Sequence, residues 1–124
     1  MNFDNNTKAI YLQIADRICD AILRGDYGCD ERIPSVREYA ASLEVNANTV
    51  MRTYEKLTNS GLIYNKRGIG YFVTPGARAK IIMEKTENLI DKDLPPIFNI
   101  MGLLGITPEQ LADEYRNFLN KNRK

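Results

Sequence analysis

Two helix N-caps placed close together constrain this chain more than any other feature. Ser35-Val36-Arg37-Glu38 has the form of a capping box, in which the serine side chain accepts from the Glu38 backbone N–H and the glutamate reaches back to the start of the helix. Asn46 is a second good N-cap, so the helix opening at Ser35 must end quickly. A connection of about three residues, near Leu43-Glu44-Val45-Asn46, then joins two helices, which predicts a helix-turn-helix.

Periodicity supports both helices and adds one before them. Val36, Tyr39, Ala40 and Leu43 give the first of the pair an apolar face. In the second, Val50, Tyr54 and Leu57 share one side, while Thr49, Arg52, Thr53 and Lys56 form a polar row beside it. Upstream, Ile10, Ile14, Ile18 and Ile22 recur every four residues with Tyr11, Ala15 and Ala21 alongside, predicting an amphipathic helix that stops near Arg24-Gly25. The intervening DYGCDERIP reads as a loop. Ile10, Tyr54 and Leu57 are assigned to the core.

The helix after Asn46 should end near Gly61, where Leu62-Ile63-Tyr64-Asn65 and Tyr71-Phe72-Val73-Thr74 flank Lys66-Arg67-Gly68-Ile69-Gly70. Two β-prone runs about a glycine-rich basic loop predict a hairpin. Pro75-Gly76 breaks the chain and marks the expected boundary between a domain at 1–75 and a tail at 76–124. Three helices are expected in the tail, over Arg78–Asp91, Pro95–Leu104 and Thr107–Asn120. The fold class is therefore mainly α with one small β-hairpin, a winged helix-turn-helix followed by a short all-helical tail.

Composition removes several function classes. A chain of 124 residues has room for one compact domain and an appendage. Histidine is absent, which takes away the usual general base and the commonest metal ligand. Cys19 and Cys29 fit no metal or redox spacing and read as idle or buried thiols, with no metal or cofactor expected. No apolar run approaches the ~20 residues of a membrane span, and MNFDNNTKAI lacks the order of a secretory signal, so a cytoplasmic protein is expected. The Asn5-Asn6-Thr7 sequon carries no weight without secretion. An enzyme would have to rely on carboxylates such as Asp16 and Asp20, whose helical spacing suits a solvated face better.

The net charge of +1 hides an uneven distribution. From Asp16 to Glu31 there are five acids and two bases, whereas from Arg37 to Arg67 the bases Arg37, Arg52, Lys56, Lys66 and Arg67 outnumber Glu38, Glu44 and Glu55. This half suits a polyanion. Arg37 with the N–H groups at its helix start suits a phosphate, and Asn46, Asn48, Thr49, Arg52, Thr53 and Lys56 suit base edges or phosphates in a major groove. Taken singly, each has a bland reading: Ser35 and Asn46 as caps, Gly68 and Gly70 as turn residues, the polar row as a solvated face. Their joint order favours the DNA-binding reading. A winged helix used as a protein-interaction module is the alternative, and it has no need for Arg37, Arg52, Lys66 and Arg67 together.

Ile10-Tyr11-Leu12-Gln13-Ile14, Arg32 to Ala40, Val45 to Val50 with Tyr54 and Leu57, and Gly61-Leu62-Ile63 leading to Gly68-Ile69-Gly70-Tyr71-Phe72-Val73 resemble the GntR family of bacterial transcription regulators. The short helical tail resembles the YtrA-like subfamily. The resemblance implies a homodimeric repressor, often of an operon encoding an ABC transporter, acting in the bacterial cytoplasm at the nucleoid. It places Ser35 and Arg37 on the family's Pro-Ser-x-Arg motif, Asn48, Thr49 and Arg52 on the recognition helix, and Lys66, Arg67 and Gly68 on the wing. Many relatives carry arginines where Ala47 and Met51 stand, and a threonine where Tyr71 stands, so a different operator preference is expected here.

The tail presents Leu111, Tyr115, Phe118 and Leu119 on its last helix and Ile97, Phe98, Met101 and Leu104 on the one before. A tail of this length is too short to bury such a surplus alone, which predicts a symmetric homodimer on an inverted-repeat operator. It also makes a dedicated small-molecule domain unexpected.

Overall fold

The computed structural model describes residues 8–122, so stretch 1–7 and its sequon lie outside the described residues. The chain divides into one compact unit up to Met83 and a second from Glu84 onward.

Helix α1 (Ile10–Arg24) buries Ile14, Ile18 and Ile22 and ends on Gly25 in the left-handed conformation, φ 89°. Ile10 departs from expectation: at 37% exposed it lies outside the core, because the first turn carries the isoleucine stripe past the packed part of the domain. Helix α2 (Val36–Leu43) opens with the expected capping box, Glu38 N–H donating to Ser35 Oγ at 3.1 Å and Ser35 N–H to Glu38 Oε1 at 3.0 Å. The tight turn that follows is made by Glu44 at φ 57°, a left-handed conformation that costs a non-glycine residue ~1–2 kcal/mol. Helix α3 (Ala47–Asn59) buries Val50, Tyr54 and Leu57 as expected. Burying one such side chain contributes ~1.5–3 kcal/mol, so the interlocked α1, α2 and α3 outweigh the strain at Glu44.

Strands β1 (Ile63–Lys66) and β2 (Gly70–Val73) pair antiparallel, from Ile63 opposite Val73 to Lys66 opposite Gly70. Lys66 thus ends a strand, and the turn is Arg67-Gly68-Ile69. The segment expected as loop before α2 contributes a third edge. Asp30 N–H donates to Val73 O, Val73 N–H to Glu31 O, and Ile33 N–H to Tyr71 O, each at 2.9 Å. Ile33 precedes Pro34 and is thereby biased to extended backbone, and its side chain is buried. Gly70, at φ 142°, leaves room for the Arg32 side chain, whose Nε would lie 2.8 Å from a Cβ there.

Helix α4 (Ala77–Asn88) begins within the first unit, with Ala77 and Ile81 joining its core. Arg78 Nε donates to Leu23 O at 3.3 Å, and Lys80 donates to Ser60 O. The break expected between Asp91 and Pro95 is replaced by a π-turn (Leu89–Asp93) running directly into α5 (Leu94–Leu104). Pro95 and Pro96 lack N–H groups and their rings crowd carbonyls one turn back, and the wider i→i+5 ladder accommodates both. Helix α6 (Pro108–Lys121) starts on Thr107, which forms a capping box with Gln110. From Ile82 to Asn122 no residue is buried within the chain. No helix among the described residues is long and apolar enough to cross a membrane.

Candidate nucleic-acid interface

The face of α3 opposite the core presents Asn48, Met51, Arg52, Glu55 and Lys56 to solvent, with Thr49 half-buried at its margin. Arg52 is seated on the ring of Tyr11 from α1, its guanidinium carbon 4.0 Å from the ring centroid. Stacking uses the π-face of the guanidinium and leaves its in-plane N–H donors available. Arg52 and Lys56 line one shallow depression with Tyr11, Glu55, Asn59 and Ser60. A neighbouring depression joins the end of α3 to the hairpin through Glu55, Thr58, Asn59, Asn65 and Tyr71.

Thr53 is a correction to the expected polar row. It is fully buried, and its hydroxyl donates to Tyr11 O at 2.8 Å, with Thr49 O 3.2 Å away as the second acceptor in reach. On the helix it lies between the apolar and polar rows, and the packing of α1 across α3 takes it inward. Thr53 therefore offers nothing to a groove and instead fixes α1 against the helix that carries Arg52.

Asn46 and Ser35 are occupied as caps. Asn46 Oδ1 accepts from Asn48 N–H at 2.8 Å, leaving the donors of its exposed amide outside that contact. Arg37 is exposed in the first turn of α2, among N–H groups that favour an anion. Beside it, the two hydrogen bonds from Ser35, backbone first, hold the Glu38 carboxyl below its ordinary range, with a lesser contribution from Arg32 3.8 Å away. Glu38 is thus a fixed anion committed to the cap.

On the wing, Lys66, Arg67 and Gly68 are all exposed. Lys66 Nζ lies 5.1 Å over the Phe72 ring, Phe72 stacks on Tyr64 at 5.7 Å, and the Tyr64 hydroxyl donates to Asp30 Oδ1 at 2.8 Å. A row of side chains thereby anchors the wing lysine to the edge segment. Tyr11 and Arg32 are the residues here that sequence reasoning did not assign to the site. Only the position of Tyr11 on the exposed margin of the isoleucine stripe hinted at its part.

Elsewhere the chemistry is quiet. Cys19 is buried and Cys29 exposed, neither in a disulfide, and desolvation with the neighbouring Asp30 carboxylate raises the Cys29 thiol, disfavouring a thiolate. Among the described residues no group of three histidine, cysteine, aspartate or glutamate side chains is placed to hold a metal ion.

Residues 10–73, which span this whole constellation, match the profile of the family described as "Bacterial regulatory proteins, gntR family". The chain belongs to the GntR family. Like other GntR proteins it carries a winged helix-turn-helix DNA-binding domain, and its relatives are named as transcription regulators. It is 34% identical over 113 residues to the HTH-type transcriptional regulator YhcF of Bacillus subtilis, covering 91% of this chain and 92% of that protein. The HTH-type transcriptional repressor YtrA of the same organism is 29% identical over 104 residues, 84% of this chain and 79% of YtrA, which makes this GntR chain YtrA-like. A GntR-family regulator from Bacteroides thetaiotaomicron superposes with a TM-score of 0.74 at 49% identity, over 92% of this chain and 100% of that one. The DNA-binding domain of AraR, solved in complex with operator ORR3, superposes with a TM-score of 0.51 at 25% identity, over 60% of this chain and 93% of that one.

Proposed function

We propose that this chain is a homodimeric transcriptional repressor that recognises an inverted-repeat operator. In this reading Arg52, Asn48 and Thr49 read base edges from α3, Arg37 and Lys56 hold phosphates, and Lys66, Arg67 and Gly68 of the wing follow the backbone into the adjacent minor groove. The observation that carries it is the exposure of Asn48, Arg52 and Lys56 on a helix whose other face is wholly buried, in a GntR domain. The operator-bound AraR domain and the repressor YtrA support the same assignment.

The dimeric part of the proposal rests on the tail. Ile97, Phe98, Leu104, Leu111, Tyr115, Phe118 and Leu119 are each at least 41% exposed, and Met101 is half-buried. An apolar surface of this extent on an isolated chain marks an association site, and a second copy presents the same surface. Two-fold symmetry then sets two recognition helices on half-sites about one helical turn, ~34–36 Å, apart. The YtrA-like resemblance makes operons for ABC transporters the first genomic places to search.

Selection of duplexes from a randomised pool by the purified protein, followed by anisotropy on the winner and its scramble, tests the reading. Enrichment of an inverted repeat bound far more tightly than the scramble is expected, with log affinity falling against log salt at about −0.9 per neutralised phosphate. Weak binding to every duplex, with no enrichment, would remove the proposal in favour of a protein-interaction module.

A further inference from the structure

Among the bases of α3, Arg52 has its position dictated by another element, α1. Its guanidinium lies 4.0 Å from the centroid of Tyr11, while the next residue, Thr53, donates to the Tyr11 backbone carbonyl at 2.8 Å. Tyr11 is thus gripped twice by consecutive residues of α3, once through its carbonyl and once through its ring. The carbonyl contact is partly buried and fixes where the ring sits, and the ring in turn limits where a long, otherwise free side chain can go. An exposed arginine ordinarily samples many rotamers and loses that freedom on making a bidentate contact. One already laid on an aromatic face loses less, and its edge donors still point outward.

We propose that Tyr11 is a positioning residue for DNA recognition, holding Arg52 in the orientation from which it reads the operator. This rests on the reading of Arg52 as a base-contacting residue. Tyr11 touches no base in this scheme, so its effect on specificity passes entirely through Arg52. The phenol hydroxyl has no part in the stacking, and phenylalanine should replace it.

The test is a double-mutant cycle on the full chain, using the operator duplex recovered by selection and its scramble. Tyr11→Met, Tyr11→Leu and Tyr11→Phe are measured alone and with Arg52→Ala, thermal melting confirming which variants are folded. A surface cation–π contact predicts that Tyr11→Met and Tyr11→Leu weaken operator binding about two- to fivefold while binding to scramble is unchanged. Tyr11→Phe should bind like the parent, and the loss should vanish in the Arg52→Ala background. A second readout needs neither DNA nor a dimer: in the free protein the Arg52 side-chain protons should be shifted upfield by the ring current, and revert in Tyr11→Met. Parental operator affinity in Tyr11→Met, or the same loss with and without Arg52, overturns the proposal. If Arg52→Ala itself costs no specific affinity, the base-contact reading fails first and the positioning role falls with it.

Discussion

The Tyr54 hydroxyl donates to the backbone carbonyl of Pro34 at 2.6 Å, tying the middle of α3 to the residue just before the α2 capping box. The ring is fully buried and meets Tyr71 of β2 edge to face, centroids 4.9 Å apart. One side chain therefore holds α3, the segment leading into α2, and the wing in register. Tyr54→Phe keeps the packing and strands the Pro34 carbonyl, so a loss of ~1–3 kcal/mol is expected from urea unfolding with an unchanged m-value. Burial, with smaller contributions from neighbouring tyrosines, raises the Tyr54 phenol above its ordinary value. A folded-state pKa above the unfolded ~10 means the contribution is whole below about pH 10 and is lost as pH rises beyond it. Tyr54→Phe should thus lose less stability than the parent on going from neutral pH to about pH 11.

Thr53 acts on recognition only through the fold, by its bond to the Tyr11 carbonyl. Thr53→Val keeps the volume that seats Tyr11 but removes the donor, so stability should fall by ~0.5–1.5 kcal/mol. The ratio of operator to scramble affinity should fall by no more than the roughly two- to fivefold expected of Tyr11→Met, because Thr53 reaches the operator only through the Tyr11 ring and Arg52. A large drop in that ratio without a drop in melting temperature would return Thr53 to the DNA-facing row.

Arg52 and Lys66 should fail differently. Arg52→Ala is expected to cost ~1–3 kcal/mol on the operator and little on other sequences. Lys66→Ala should weaken all duplexes alike and reduce the salt slope by about 1. Anisotropy titrations at several salt concentrations distinguish the two, and uniform loss in both variants would end the division of labour.

The tail is tested by charge. Phe118→Asp combined with Leu111→Asp places carboxylates on the apolar face that the proposed dimer covers, and should convert that dimer to a monomer by light scattering. Helical content should hold, because both positions are exposed in the single chain. An unchanged dimer would move the association site elsewhere.

The parts of the fold legible in the sequence are those satisfied by near neighbours. The Ser35–Glu38 box and the Asn46 cap pair backbone donors with side chains two or three residues away. The apolar stripes of α1 and α3 and the paired hairpin runs follow from period alone. In the candidate site, Asn48, Arg52, Lys56 and the wing residues were legible as exposed polar positions on those elements.

What the sequence by itself determined, then, is the order of elements, their caps and the exposed polar row, because 3.6- and 2-residue periods and short-range hydrogen bonds are local. Tertiary structure alone decided the inward turn of Thr53, since a residue between two rows of a helix takes the side its crossing neighbour dictates. It likewise decided the pairing of residues 30–33 with β2 and the nesting of Arg32 over Gly70, contacts whose partners lie about forty residues apart. The seat of Arg52 on Tyr11 belongs to the same group, because only the packing of α1 across α3 brings an aromatic face under that guanidinium.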